Sequence, residues 1–188
     1  MEIVSTQQRK KIHPHKFTLW VAVGSIIMMF AGLTSAYIVK SNQASWLPIE
    51  MPTVFWYSTI VILLSSLTVH MALLAFKNRE MTRYRLLIAT TTILGVLFIV
   101  LQYLGFHQLW MSGITLRGSG AGQFLYVITG LHAAHVLGGI VVLIVMFIKA
   151  FFGASRNYSA VPVDLAATYW HFVDFLWLYL FVFFMWIG

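Results

Sequence analysis

The chain has 188 residues, of which 60% are hydrophobic and only 9% charged, and it contains no cysteine. A soluble domain would need roughly 25% charged residues to cover its surface, so lipid is the expected solvent. Disulfides, thiolate metal sites and iron–sulfur clusters held by this chain are excluded. The formal net charge is +7, and where the basic residues fall decides what that charge means.

The tail 1–16 is short and polar, and its His13-Pro14-His15 is read as a solvated surface pair rather than a metal site. The first apolar segment, 17–39, is too long for a signal-peptide core and has no small-residue cleavage site after it. It is expected to be a retained transmembrane helix, with Gly32 and Ala36 at the small-xxx-small spacing that lets helices approach closely in lipid. Pro48 and Pro52 precede a second segment, 54–76, and a third follows at 86–110. The glycine-rich "GITLRGSGAG" lacks the Lys-Ser/Thr of a phosphate loop and is read as a connector. A fourth segment, 123–148, holds Gly138 and Gly139 as further packing positions, and Gly153 and Pro162 punctuate the approach to a fifth, 165–187. At about 1.5 Å per residue each segment can cross a hydrocarbon core of ~30 Å. Trp46, Trp56, Trp110, Tyr169 and Trp186 lie near segment ends, where amphipathic rings favour the interface. The expected fold is all-α, a polytopic bundle of five transmembrane helices forming one domain over 17–188. No repeat is visible, and five spans do not divide into an inverted-repeat transporter.

The basic residues then set orientation. Arg9, Lys10, Lys11 and Lys16 lie in the tail, Lys77, Arg79, Arg83 and Arg85 between the second and third segments, and Lys149 and Arg156 between the fourth and fifth. The opposite side has only Lys40 and Arg117, so ten of the twelve fall on one side, which the positive-inside rule makes cytoplasmic. The N-terminus is expected inside and the C-terminus, at Gly188, outside. Nucleic-acid binding is not expected.

Of five acids, Glu2, Glu50, Glu80 and Asp164 map to tails, loops or a span edge, while Asp174 lies about ten residues, or ~15 Å, into the fifth helix. A carboxylate at that depth costs about 2.5–3.5 kcal/mol even on an insertion scale, so it should face protein. His171 lies one turn before it, Trp177 one turn after it, and the fourth helix carries His132 and His135, again three apart. Counting from opposite ends of two antiparallel helices puts all of them near the midplane. Three readings stay open: a haem or metal site built on the histidine pairs, a proton relay, and a structural polar cluster bracing the fourth and fifth helices. Spacing favours the brace. The His-x-x-His signal is weak without a catalytic companion, and the first three helices offer almost no titratable groups for a relay. His70 and His107 are read as isolated interior or interface positions.

The ordered pieces "FAGLTSAY", "LLSSLT", "LQY", "ITGLHAAHVLGG" and "YWHFVDFLWLYLF" resemble subunit III of haem–copper cytochrome c oxidases. The resemblance covers most of 17–187, in the short five-helix bacterial form rather than the seven-helix one. It implies a non-catalytic subunit of a bacterial cytoplasmic-membrane oxidase, part of a respiratory-chain complex that reduces oxygen and pumps protons. Haem and copper would sit in partner subunits I and II, with further respiratory-chain complexes as possible neighbours. The chain itself would carry bound phospholipid, pack on subunit I, and support its stability and proton uptake. His132, His135, His171 and Asp174 would be structural rather than ligands. A quinol oxidase or nitric oxide reductase could use an equivalent subunit. Two departures stand out: no acid occurs in the first helix, where Ser25 lies near the position at which many relatives place one, and Leu73 and Leu74 stand where many relatives have paired histidines.

Overall fold

The structure is a computed structural model that describes residues 14–42, 49, 51–116, 120–152 and 160–187. The tail 1–13, Trp46, Pro48, Glu50, Arg117, Gly153, Arg156 and Gly188 lie outside the described residues. Five helices account for nearly all the rest: α1 (Pro14–Ser41), α2 (Val54–Lys77), α3 (Met81–Met111), α4 (Gly120–Phe152) and α5 (Ala160–Ile187). Each is long and apolar enough to cross a membrane, and no strand occurs among the described residues. The all-α expectation holds.

The helices run past the apolar segments because backbone hydrogen bonding does not stop where side chains turn polar. α3 starts at Met81, five residues ahead of its apolar segment, and carries Thr82, Arg83 and Arg85 outward on its first turns. Pro162, expected in the loop before the fifth helix, instead sits in the first turn of α5. A proline is tolerated there because the leading N–H groups of a helix have no intrahelical partner anyway. α2 ends in a Schellman turn: Glu80 N donates to Ala75 O at 2.9 Å, and Arg79 takes a left-handed φ of 63°. Glycine is the usual occupant of that position, and another L-residue there costs about 1–2 kcal/mol.

α2, α3, α4 and α5 form a closed four-helix array in which each contacts the next and α5 returns to α2, while α1 lies outside against α4 and α5 only. α1 is tied to α5 at both ends. Lys16 pairs with Asp164, and Thr34 Oγ1 lies 2.9 Å from Tyr179 OH. Inside the array, lipid gives no hydrophobic reward for joining apolar helices, so contact comes from close packing and interhelical hydrogen bonds. Trp170 shows how this works. A Cβ added at Gly139 of α4 would lie 2.9 Å from its ring, and one at Gly95 of α3 would lie 3.1 Å from it. Gly105 of α3 accepts Phe55 of α2 in the same way, with a Cβ at 2.8 Å from that ring.

The small-residue positions therefore divide. Gly139 is a close-approach site. Its neighbour Gly138 is exposed and only grazes Tyr169 OH, at 3.9 Å from an added Cβ. Gly32 and Ala36 do not mediate packing among the described residues: both are exposed, and a Cβ at Gly32 meets nothing within 4 Å. α1 instead faces the bundle through Val23, Phe30, Thr34 and Tyr37, which puts the small face on the outside.

Gly139→Ala should thus lower the unfolding temperature in detergent by the equivalent of about 1–3 kcal/mol, the usual cost of overpacking, whereas Gly138→Ala should leave it unchanged. Equal effects from the two would remove Trp170 from its central place.

Candidate functional site: the polar interior of the bundle

α5 presents Trp170, His171, Asp174 and Trp177 to the interior, where α2 supplies the side-chain hydrogen bonds of Trp170, His171 and Trp177 while α4 packs against the two indoles. Trp170 Nε1 donates to Ser65 Oγ at 3.0 Å, and Trp177 Nε1 donates to Thr59 Oγ1 at 3.0 Å. Thr59 spends its own proton on Phe55 O, at 2.7 Å, which leaves its lone pairs for the indole. His171 Nδ1 lies 2.6 Å from Ser66 Oγ, and its ring stands 6.0 Å from that of His70. Further hydroxyl and amide bonds tie α2 to α3: Thr68 to Thr91 at 2.8 Å, and Gln102 Nε2 to Ser58 Oγ at 3.1 Å. The two hydroxyls of "SS" in α2 are thus a ladder for α5, a role that the sequence reading missed. The available signal was plain: polar groups in a lipid-spanning helix must find partners.

α4 and α5 are joined differently. Tyr169 OH donates to His135 O at 3.1 Å, while the His135 imidazole bonds its own helix at Leu131 O, 2.7 Å away, and sits edge-on to Phe30 of α1. His132 stacks on Trp177, with ring centroids 5.4 Å apart and planes at 29°. Residues three apart on a helix diverge by about 60°. In this bundle that is enough to send His132 to the interior and His135 toward α1.

The expected cluster is therefore dispersed. His132 and Trp177 come together; His171 goes to Ser66 and His70; His135 turns to its own backbone. Asp174 is 3% exposed and His132 2%, and neither side chain has a hydrogen-bond partner among the described residues. Ser66 Oγ faces both the Asp174 carboxyl and His171 Nδ1, and the tautomer of the imidazole decides which way the Ser66–His171 contact runs. An unpaired buried polar group costs about 1–3 kcal/mol, so bracing within this chain does not account for Asp174 or His132. No group of three or more His, Asp or Glu residues is placed to hold a metal ion among the described residues. The histidine pairs do not assemble a ligand set.

A double-mutant cycle between Trp170→Phe and Ser65→Ala should give a coupling of about 0.5–1.5 kcal/mol, the range for hydrogen bonds between transmembrane helices. Strict additivity would mean that the 3.0 Å contact contributes nothing to the bundle.

Comparison with known proteins bears on what such a bundle serves. Residues 15–188 match the family described as cytochrome c oxidase subunit III. Among similar proteins, the probable cytochrome c oxidase subunit 3 of Nocardia farcinica is 28% identical over 188 residues, covering 92% of this chain and 90% of its own. The cytochrome c oxidase subunit 3 of Bacillus subtilis is 29% identical over 167 residues, covering 86% and 81%. That of Bacillus sp. strain PS3 is 28% identical over 167 residues, covering 86% and 80%. A reading of the chain as a free-standing haem or metal redox protein gains nothing from these relatives. The match takes in every transmembrane helix and the interior described above, and on that ground the chain belongs to the cytochrome c oxidase subunit III family, a multi-pass membrane subunit of an oxidase complex.

Proposed function

We propose that the chain is a structural, non-catalytic subunit that packs on the haem–copper subunit I of a bacterial oxidase, beside subunit II, and keeps that catalytic unit intact during turnover. The observation that carries this reading is the family match over 15–188. The geometry supports it. The interior is spent on aromatic packing and hydroxyl braces, and the histidines are dispersed among separate neighbours. Oxygen reduction, electron entry and proton pumping then belong to the partners. The chain contributes stability, a surface for bound phospholipid and support for proton uptake. Its N-terminus lies on the cytoplasmic side in this proposal, since the basic residues Lys16, Lys77, Arg79, Arg83, Arg85 and Lys149 gather at that end.

The exposed small face of α1 fits the same role. Gly32 and Ala36 are exposed, an added Cβ at Gly32 meets none of the described residues, and the close approach that they allow is offered to a helix of a neighbouring subunit.

In a mild-detergent purification from its native membrane the chain should be retained with subunits I and II and with oxygen-reducing activity; a native membrane from which the chain never co-purifies with a haem–copper subunit would contradict the proposal. Gly32→Leu should leave the folding of the chain unchanged and reduce its retention in the complex. Asp174→Asn should assemble normally, with stability within about 1 kcal/mol of the parent, because its carboxyl has no hydrogen-bond partner to lose among the described residues. Normal assembly with selectively lost proton uptake would instead give Asp174 a relay role.

A further inference from the structure

The α2–α3 hairpin carries a feature that neither helix packing nor the oxidase assignment uses. A cavity of about 470 Å³ opens between the two helices at their polar ends. Its wall toward the membrane is apolar, formed by Met71, Leu74 and Leu86, all exposed. Its rim at the hairpin is polar, formed by Asn78, Thr82 and Arg83. Glu80 also lines it and is ion-paired to Arg83, at 2.9 Å. Lys77, Arg79 and Arg85 flank the same turn, so four basic residues face one acid over nine positions, 77–85.

Two details of the backbone add to this. Arg79 occupies the left-handed position of the Schellman turn, φ 63°, where glycine would be the more stable choice. A guanidinium is held at the tip of the hairpin against that preference. The N-terminus of α3, a helix of 31 residues, starts beside the rim with no acidic residue in its first turn, and the N-cap Glu80 makes no side-chain capping bond. Glu80 at the N-cap is the one carboxylate at this helix end, and with Lys77, Arg79, Arg83 and Arg85 around it the turn keeps a net positive charge over 77–85.

We propose that this hairpin binds an anionic phospholipid, its phosphate at the rim beside Arg83, next to the turn that carries Arg79, and an acyl chain along Met71, Leu74 and Leu86. An apolar wall continuous with a basic rim matches a lipid with a negatively charged headgroup. A zwitterionic lipid would fill the wall while bringing its own cation to a basic site. Free inorganic phosphate would satisfy the rim and leave the wall uncovered. The inference rests on the membrane placement of the chain and fixes one lipid position within its proposed role.

The test uses the intact oxidase complex reconstituted in phosphatidylcholine vesicles containing a minor fraction of photoactivatable phosphatidylglycerol, with cross-links mapped by peptide mass spectrometry. Labelling is expected within residues 71–87, suppressed by excess unlabelled phosphatidylglycerol and unaffected by excess phosphatidylcholine or inorganic phosphate. Arg79→Gly, which suits the left-handed turn and so preserves the fold, should reduce labelling roughly fivefold, and adding Arg83→Gln should reduce it roughly fivefold again. The unfolding temperature of Arg79→Gly should be unchanged or higher. Undiminished labelling in the double variant, equal competition by phosphatidylcholine, or an unlabelled hairpin in an intact complex would overturn the site. An unlabelled hairpin would assign the groove to a neighbouring subunit. Failure of the complex to contain subunit I would count against the oxidase role instead, so the two failures are distinguishable.

Discussion

The ring of Trp170 lies against the backbone of α3 at Gly95 and of α4 at Gly139, while its indole N–H reaches Ser65 of α2. One side chain of α5 thus meets the other three helices of the array. In lipid this kind of contact must do what hydrophobic burial does in water, because moving a leucine from lipid tails to another helix gains little. Removing Cβ atoms at two facing glycines lets an indole sit between backbones, and the hydrogen bond then fixes its orientation. The flanking bonds, Tyr169 to His135 O on one side and Trp177 to Thr59 further along, repeat the device with a polar tip on an aromatic body. α5 is central for this reason, and α1, tied through Lys16, Thr34 and its aromatic face to α4 and α5 but not to α2 or α3, is peripheral.

Much of this architecture can be read from the residues, and the failures have definable causes. Five helices follow from runs of apolar residues long enough to span the membrane, since no other open structure satisfies its backbone there. Burial of Asp174 and His132 also follows, because a polar group at that depth has nowhere else to go. Their neighbours do not follow. Counting along two consecutive helices placed α4 opposite α5, whereas the hydroxyls of α2 meet the α5 indoles, because helix order around the array is a tertiary fact. Gly139 stands in a visible pair, but Gly95 and Gly105 are single glycines whose use depends on which ring arrives. Gly32 and Ala36 match the packing motif and face outward, since spacing defines a face without saying what covers it.

The functional assignment was legible for a different reason. It lay in the order of several motifs along the chain, not in any one constellation of side chains. The most conspicuous polar residues, the paired histidines and Asp174, are dispersed in space and would mislead a reader who sought a metal centre from spacing alone. His132 and Asp174 remain a cost to the isolated bundle, with no hydrogen-bond partner among the described residues. That cost is what a subunit working inside a larger assembly can carry, provided that the braces from α5 to α2 hold the fold.

The central claim is that this chain folds through its own aromatic and hydroxyl braces and holds no redox centre. Purification of the chain alone in detergent, with circular dichroism, visible absorption and metal analysis on one sample, tests it most directly. The account predicts a helical protein with a cooperative thermal transition and no stoichiometric haem or metal. Stoichiometric haem or metal bound to the chain, or a helical fold that forms only when either is supplied, would contradict it.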